Sequence, residues 1–211
     1  MANMITAKDL RELKNRHPKA VVVGYVNTSA EVKAELDICC TSTNAVEVVN
    51  YLKDKEEIIF VPDKYLAEFA SKRTGRRLIS WDGYCPTHVK ILPEDIVKQV
   101  RLHPKAKVMV HPECIPEVID LADEALSTGK MCKYAKESDA TEFIVGTEVG
   151  IIYRLSKDNP SKKFYPATEL AICPNMKRTT LEKVFWSLEE LREEVKVPDD
   201  IRKKARKAID R

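Results

Sequence analysis

The feature that most constrains the fold of this chain is an internal repeat. His17–Ala20 (His-Pro-Lys-Ala) returns 86 residues later as His103–Ala106, and each copy leads into a short apolar run. Further matches follow in the same order at nearly the same offset: Tyr25 with His111, Asn27 with Glu113, Asp37 with Asp123, Thr41–Ser42 with Ser127–Thr128, and Cys85–Pro86 with Cys173–Pro174. Several ordered matches at one offset indicate duplication of a structural unit.

Within each copy, short apolar segments alternate with amphipathic ones. Val21–Val26 and Ile58–Val61 are typical of buried strands, whereas Thr6–Arg16 is typical of a capped helix. This alternation predicts an α/β fold of repeated three-layer α/β/α units with short parallel sheets. We expect one unit over residues 1–87, a second over 88–175 and a C-terminal helical segment over 176–211. Strands are also expected at Leu170–Cys173, and a helix at Ile115–Ala122.

Composition excludes several classes of protein. The 36 Lys and Arg residues nearly balance the 33 Asp and Glu residues, so nothing indicates a nucleic-acid-binding surface. The apolar runs are too short to span a membrane, and the six scattered glycines contain no nucleotide-binding fingerprint. No apolar leader opens the chain, so we expect a cytoplasmic protein with reduced cysteines.

Polar residues follow the predicted strands at equivalent points of the two units. Tyr25 and Asn27 follow the first strand of one unit, and His111 and Glu113 follow the first strand of the next. Ligands of open parallel sheets bind beyond the carboxyl ends of the strands. A His and a Glu at that edge could supply acid/base chemistry, although a surface His-Pro-Glu turn is the alternative.

Two hydroxyl pairs, Thr41–Ser42 and Ser127–Thr128, each precede a predicted helix. Hydroxyls and free backbone N–H groups at such positions can bind a carboxylate or phosphate. Simple helix capping is the alternative interpretation, and capping is compatible with the binding of an anion.

The six cysteines contain no Cys-x-x-Cys pair, which argues against a zinc ribbon. Cys85 and Cys173 end equivalent units in Cys-Pro turns, and single cysteines from separate units are typical of an iron–sulfur or metal site. We expect their sulfurs to lie within about 6 to 7 Å of each other. The other four cysteines are interpreted as structural, and His17, His88 and His103 as loop residues.

Seven segments together resemble the quinolinate synthase A family. They are Tyr25–Asn27, Cys40–Glu47, Gly83–His88, Val110–Cys114, Ser127–Gly129, Val145–Glu148 and Cys173–Lys177. The resemblance extends in order over essentially the whole chain.

This resemblance implies three homologous α/β units around a pseudo-threefold axis, of which this chain holds two. It implies a [4Fe–4S] cluster with one open iron, with Cys85 and Cys173 as two of its three ligands. The implied reaction is the condensation of iminoaspartate with dihydroxyacetone phosphate, with loss of two waters and phosphate, to give quinolinate for NAD synthesis. L-aspartate oxidase or aspartate dehydrogenase is the implied supplier of iminoaspartate.

By the same resemblance, the substrate-binding set consists of Tyr25, Asn27, Ser42, His111, Glu113 and Thr128. Tyr25, His111 and Glu113 are the expected catalytic residues, with Glu113 as the general base.

The repeat also predicts an earlier Cys-Pro just before Met1, so we expect the chain to lack a first unit and to be inactive alone. Two alternatives remain open: a non-catalytic α/β module that binds a small dicarboxylate or phosphate, and a structural protein that needs a separate chain for its first unit.

Overall fold

The computed structural model describes residues 1–211, which form ten α-helices and eight β-strands. The helices are α1 (Ala7–Arg16), α2 (Ala30–Lys33), α3 (Ala45–Tyr51), α4 (Lys64–Thr74), α5 (Pro93–Leu102), α6 (Pro116–Ile119), α7 (Thr128–Glu137), α8 (Ile151–Asp158), α9 (Leu181–Glu190) and α10 (Asp199–Ile209). The strands are β1 (Val21–Tyr25), β2 (Ile38–Cys40), β3 (Ile58–Val61), β4 (Ile79–Ser80), β5 (Lys107–Val110), β6 (Glu124–Ala125), β7 (Glu142–Gly146) and β8 (Lys163–Pro166). None of these helices combines the length and the apolar character needed to cross a bilayer.

The strands form two separate four-stranded sheets in which every pairing is parallel. The first unit has the strand order β2-β1-β3-β4, and the second has the order β6-β5-β7-β8. The two orders are the same when each strand is replaced by its counterpart. The α/β class with repeated parallel units is therefore confirmed, while the expected unit boundaries and the threefold axis stay predictions.

Helices cover both faces of each sheet, because the central strands are apolar on both sides. In the first unit, Val23 and Phe60 belong to a core on one face, whereas Val22 and Ile59 belong to a core on the other. This follows from the period of two residues along a strand. Each unit is thus a three-layer α/β/α sandwich with its own pair of cores.

The two units also share an equivalent hydrogen bond. The backbone N–H of Val22 donates to the Asp37 carboxylate at 2.8 Å, and the N–H of Val108 donates to Asp123 at the same distance. The two aspartates are one of the pairs that the sequence matched. In each unit this carboxylate ties the loop before the second strand to the first strand.

The C-terminal helix α10 packs against the first unit. Its Ala208 is buried in the same core as Val32 and Leu36, and the Arg211 guanidinium donates to the Asp37 carbonyl at 3.2 Å. Helix α9 differs, because none of its residues is buried.

Two expected elements differ from the structure. No strand forms over Leu170–Cys173; the last strand of the second sheet is β8 instead. Phe164 of β8 stacks on Phe143 with ring centroids 5.3 Å apart, whereas Leu170 is 69% exposed. Packing of the aromatic pair therefore selects β8 as the edge strand. The helix expected over Ile115–Ala122 is limited to α6, one turn long.

Gly83 lies where the chain turns toward Cys85. It forms an isolated parallel bridge with Asp63, and its carbonyl accepts a hydrogen bond from Lys64 N–H at 2.8 Å. A Cβ at this position would lie 2.2 Å from the Pro62 carbonyl oxygen. Because that oxygen belongs to the backbone, it cannot move aside as a side chain could.

We predict that Gly83→Ala lowers the free energy of unfolding by about 1–3 kcal/mol, the usual cost of forcing atoms into a packed region. Gly129→Ala is the matched control, since a Cβ there meets nothing within 4 Å and alanine favours the helix. Urea unfolding of the two variants measures the difference. Equal stability of both variants would contradict the steric argument.

Candidate functional site

A cavity of about 910 Å³ opens at the carboxyl ends of the two sheets and takes residues from both units. We call it the inter-unit cavity. Its wall includes Tyr25, Asn27, Ser42, Cys85, His88, His111, Glu113, Thr128, Thr147 and Glu148. The position agrees with the rule that parallel sheets bind ligands beyond the carboxyl ends of their strands.

All six residues of the expected substrate-binding set lie in this wall, together with Cys85. Tyr25 and His111 end up there because β1 and β5 are equivalent strands that terminate at this cavity. Cys173 is not part of the wall, but Thr87, two residues from Cys85, is among the groups that lower the pKa of its thiol. The roles of these residues, and the sulfur separation, stay predictions.

A buried cluster of two histidines and one carboxylate forms the floor of the inter-unit cavity. Nδ1 of His88 lies 2.8 Å from Oε2 of Glu113, and the His88 and His111 rings stack with centroids 4.5 Å apart. Nε2 of His88 lies 2.9 Å from the Thr147 hydroxyl. All three members of the cluster are buried.

The cluster holds one positive and one negative charge. Burial alone would lower the pKa of His88, but its contacts with Cys85 and Glu113 outweigh burial and raise that pKa. Burial alone would raise the pKa of Glu113, but the two histidines outweigh it and the pKa falls. The resulting state is an imidazolium beside a carboxylate.

His111 remains neutral in this arrangement. Burial and the neighbouring positive charge of His88 lower the pKa of His111. The Glu113 N–H donates to Nδ1 of His111 at 3.3 Å. Because Nδ1 accepts a hydrogen bond, the ring carries its proton on Nε2, which is then available as a donor.

The sequence predicts only a loop position for His88. The structure buries it in the cavity wall on a short 3-10 turn, His88–Lys90. Its position three residues after Cys85 was the available signal. Spacing alone could not show that this ring faces a carboxylate 25 positions further along the chain.

The two members of each hydroxyl pair, Thr41–Ser42 and Ser127–Thr128, have different surroundings. Thr41 N–H and Oγ1 both donate to the Asn44 side chain, and Ser127 Oγ caps α7 by accepting from Lys130 N–H at 3.3 Å. The second members, Ser42 and Thr128, line the cavity. In each pair, therefore, the first residue makes hydrogen bonds within its own loop or helix start, and the second faces the cavity.

The turn that carries Cys173 is held by Glu148, a residue for which the sequence predicts no role. Glu148 accepts a hydrogen bond from Cys173 N–H at 3.3 Å and one from Gly150 N–H at 2.8 Å. Its carboxylate also pairs with Lys177 at 3.0 Å. Burial opposes ionisation of Glu148, but the Lys177 contact and the two backbone N–H groups lower its pKa.

The cysteines separate into two kinds. Cys114 is fully buried in a core of the second unit, and burial raises the pKa of its thiol. Burial would do the same to Cys173, but hydrogen bonds from Met176 N–H, Thr87 and Asn175 N–H lower its pKa below the ordinary value. A thiolate is the form that binds iron or zinc, so the chemistry of Cys173 suits a metal ligand and that of Cys114 does not.

Asp63 is a second buried carboxylate near this site. Oδ1 accepts from Leu66 N–H at 2.8 Å and caps α4, whereas Oδ2 is buried without a hydrogen-bond partner. Burial, as the largest cause, and the negative charge of Glu113, as the second, raise the pKa of Asp63 to about 7.

We predict that Asp63 makes the protein less stable as the pH rises. The folded chain binds this proton more tightly than the unfolded chain, whose carboxyl has its ordinary pKa of 3.8. The free energy of unfolding therefore falls between about pH 4 and pH 7, by up to about 4 kcal/mol at 1.36 kcal/mol per pKa unit. Asp63→Asn, which can still cap α4, should flatten this fall.

Urea unfolding at pH 5 and pH 7.5 measures the difference between wild type and variant. The exposed Asp54→Asn is the control and should keep the wild-type slope. An unchanged slope in Asp63→Asn would show that this carboxyl is ionised throughout the range.

Comparison with known proteins identifies the family of this chain. The family model for "Quinolinate synthetase A protein" matches residues 1–211. A quinolinate synthase of Dehalococcoides mccartyi (strain CBDB1) is 57% identical over all of this chain, which covers 70% of that relative. Quinolinate synthase 1 of Methanosarcina acetivorans is 52% identical, and the Geobacter metallireducens quinolinate synthase is 49% identical; the chain covers 69% of each. The chain belongs to the quinolinate synthetase A family.

Proposed function

We propose that this chain is a quinolinate synthase whose inter-unit cavity condenses iminoaspartate with dihydroxyacetone phosphate. Membership of the family and the names of its relatives support the activity. The observation that carries the proposal is that six residues selected from the sequence, drawn from two units, line a single cavity.

Glu113 is proposed as the general base. It is ionised and buried and lies in the cavity wall, so it can take a proton from carbon or nitrogen of a substrate. Burial would otherwise keep a carboxyl group neutral. The short contact with His88 therefore keeps Glu113 in the form that accepts a proton.

Tyr25 and His111 are proposed to donate hydrogen bonds to a substrate carbonyl or hydroxyl. Burial and the charge of Glu113 raise the pKa of Tyr25, so its hydroxyl keeps its proton. His111 offers Nε2–H, as its neutral form requires. Ser42 and Thr128 are proposed to bind the carboxylate or phosphate, because both line the cavity and neither caps the helix that follows.

The residues present fit an iron–sulfur cluster. Cys85 is a free thiol in the cavity wall, and Cys173 is a free thiol with a lowered pKa on the equivalent Cys-Pro turn. We propose these two as ligands of a [4Fe–4S] cluster. When bound, an iron with an open position supplies a Lewis acid that polarises a substrate oxygen.

The substrates also suggest a supplier and a compartment. Iminoaspartate is an oxidation product of aspartate, so we propose L-aspartate oxidase or aspartate dehydrogenase as its source. All six cysteines are free thiols, which suits the reducing cytoplasm.

We predict that Glu113→Gln lowers the rate of quinolinate formation by about 10²–10⁴-fold, the usual contribution of a general base. The exposed Glu117→Gln should keep the wild-type rate. The assay is anaerobic, uses the protein extended upstream by the expected first unit, and measures quinolinate by mass spectrometry. Dihydroxyacetone phosphate binding without quinolinate formation, even with the reconstituted and extended wild type, would favour the non-catalytic binding module instead.

We also predict that Cys85→Ser and Cys173→Ser each lower the iron and sulfide content after anaerobic reconstitution. Cys132→Ser is the matched control, because Cys132 packs against a hydrophobic core of the second unit. Iron analysis and the visible absorbance band measure the effect. Full iron content in both ligand variants would contradict the assignment.

A further inference from the structure

One carboxylate holds both ends of the turn that carries Cys173. Oε1 of Glu148 accepts a hydrogen bond from Cys173 N–H at 3.3 Å and lies 3.0 Å from Nζ of Lys177, four residues further along the chain. We propose that Glu148 is a positioning residue for Cys173, and that its ion pair with Lys177 tunes the retention and the reduction potential of the cluster. The inference rests on the proposed function, because it takes Cys173 as a cluster ligand.

The two units attach their cysteine turns to the sheet through the same backbone hydrogen bond. Lys64 N–H donates to the Gly83 carbonyl at 2.8 Å, and Val149 N–H donates to the Ala171 carbonyl at 3.0 Å. Each acceptor lies two residues before the Cys-Pro cysteine of its unit, and each donor directly follows an acidic residue. The matching bonds therefore place one acid of each unit at an equivalent point beside its cysteine turn.

The two acids then make different contacts. Asp63 is the shorter acid, and its Oδ1 accepts from Leu66 N–H and caps α4. Glu148 is one methylene longer and accepts from Cys173 N–H through Oε1 and from Gly150 N–H through Oε2. Only in the second unit does a carboxylate hold the backbone of the cysteine itself.

These contacts fix the Glu148 side chain in one position. It is buried, and each of its oxygens accepts a backbone hydrogen bond. A buried carboxylate is costly unless it is paired and hydrogen-bonded, so the Gly150 and Lys177 contacts stabilise the charged form in this place. A rigid acceptor of this kind restrains the backbone from which the Cys173 thiol extends.

Such a contact affects a bound cluster in two ways. Residues that orient the ligands of a metal are needed for tight binding, and their loss typically weakens metal binding by about 10–100-fold. Charge near an iron–sulfur cluster also shifts its reduction potential. Because the charges of Glu148 and Lys177 largely cancel, removal of either partner leaves one uncompensated charge beside Cys173.

The test uses the protein extended upstream by the expected first unit and reconstituted anaerobically. Glu148→Ala should speed the loss of iron to an iron(II) chelator by about 10–100-fold, the usual cost of losing such a partner. Glu169→Ala is the matched control and should keep the wild-type rate, since Glu169 is exposed and lies four residues before Cys173. The decay of the visible absorbance measures the rate.

Two further variants separate charge from hydrogen bonding. Glu148→Gln retains an oxygen that can accept from Cys173 N–H but leaves Lys177 unpaired, so the reduction potential of the cluster should rise. Lys177→Met leaves the carboxylate unpaired, so the potential should fall. A general loosening of the fold does not predict shifts of opposite sign. Redox titration followed by electron paramagnetic resonance measures both shifts.

Hydrogen exchange gives a readout that needs no cluster. In cluster-free protein, the peptide that contains the Cys173 amide should exchange faster in Glu148→Ala than in wild type, while Glu169→Ala should match wild type. Circular dichroism of each variant shows whether the fold is retained.

A wild-type rate of iron loss in folded Glu148→Ala would overturn the inference. Potentials that stay unchanged, or that shift in the same direction in Glu148→Gln and Lys177→Met, would overturn it too. If Cys173→Ser loses iron while Glu148→Ala does not, the ligand assignment stands and only the positioning role fails. Full iron content in Cys173→Ser would instead overturn the ligand assignment of the proposed function, and this inference with it.

Discussion

The buried carboxylate of Glu113 organises the site of this protein. A charge removed from water needs a partner, and the structure supplies His88 from the segment that joins the two units. His88 in turn stacks on His111 and contacts Thr147. One ion pair thus fixes the position of groups from three parts of the chain and sets which of them carry protons.

The duplication explains how such a site can arise from two similar units. Both sheets have the same strand order. In each unit an equivalent aspartate, Asp37 or Asp123, accepts a hydrogen bond from the first strand and holds the loop before the second strand against it. The polar residues after those strands differ, with Tyr25 and Asn27 in one unit and His111 and Glu113 in the other. The scaffold is repeated while the chemistry at its edge has diverged, so one cavity receives a phenol, an amide, an imidazole and a carboxylate.

Contacts between the units are polar at the cavity rim. The Thr43 hydroxyl donates to Ser127 Oγ at 2.8 Å, and the Lys130 ammonium donates to the Thr43 carbonyl at 2.7 Å. These bonds join the loop before α3 to the first turn of α7. Ser42, which follows β2, and Thr128, which follows β6, are thereby held on the same cavity wall.

The sequence by itself determined the α/β class, the duplication and the residues at the strand ends, because hydrophobic periodicity and an ordered repeat are local properties of the chain. It also identified Cys85 and Cys173 as equivalent residues. Only the tertiary structure decided that β8, not Leu170–Cys173, forms the sheet edge, since that choice depends on Phe164 packing on Phe143. The roles of His88, Asp63 and Glu148 were likewise out of reach, because burial and charge pairing arise from residues far apart in the chain.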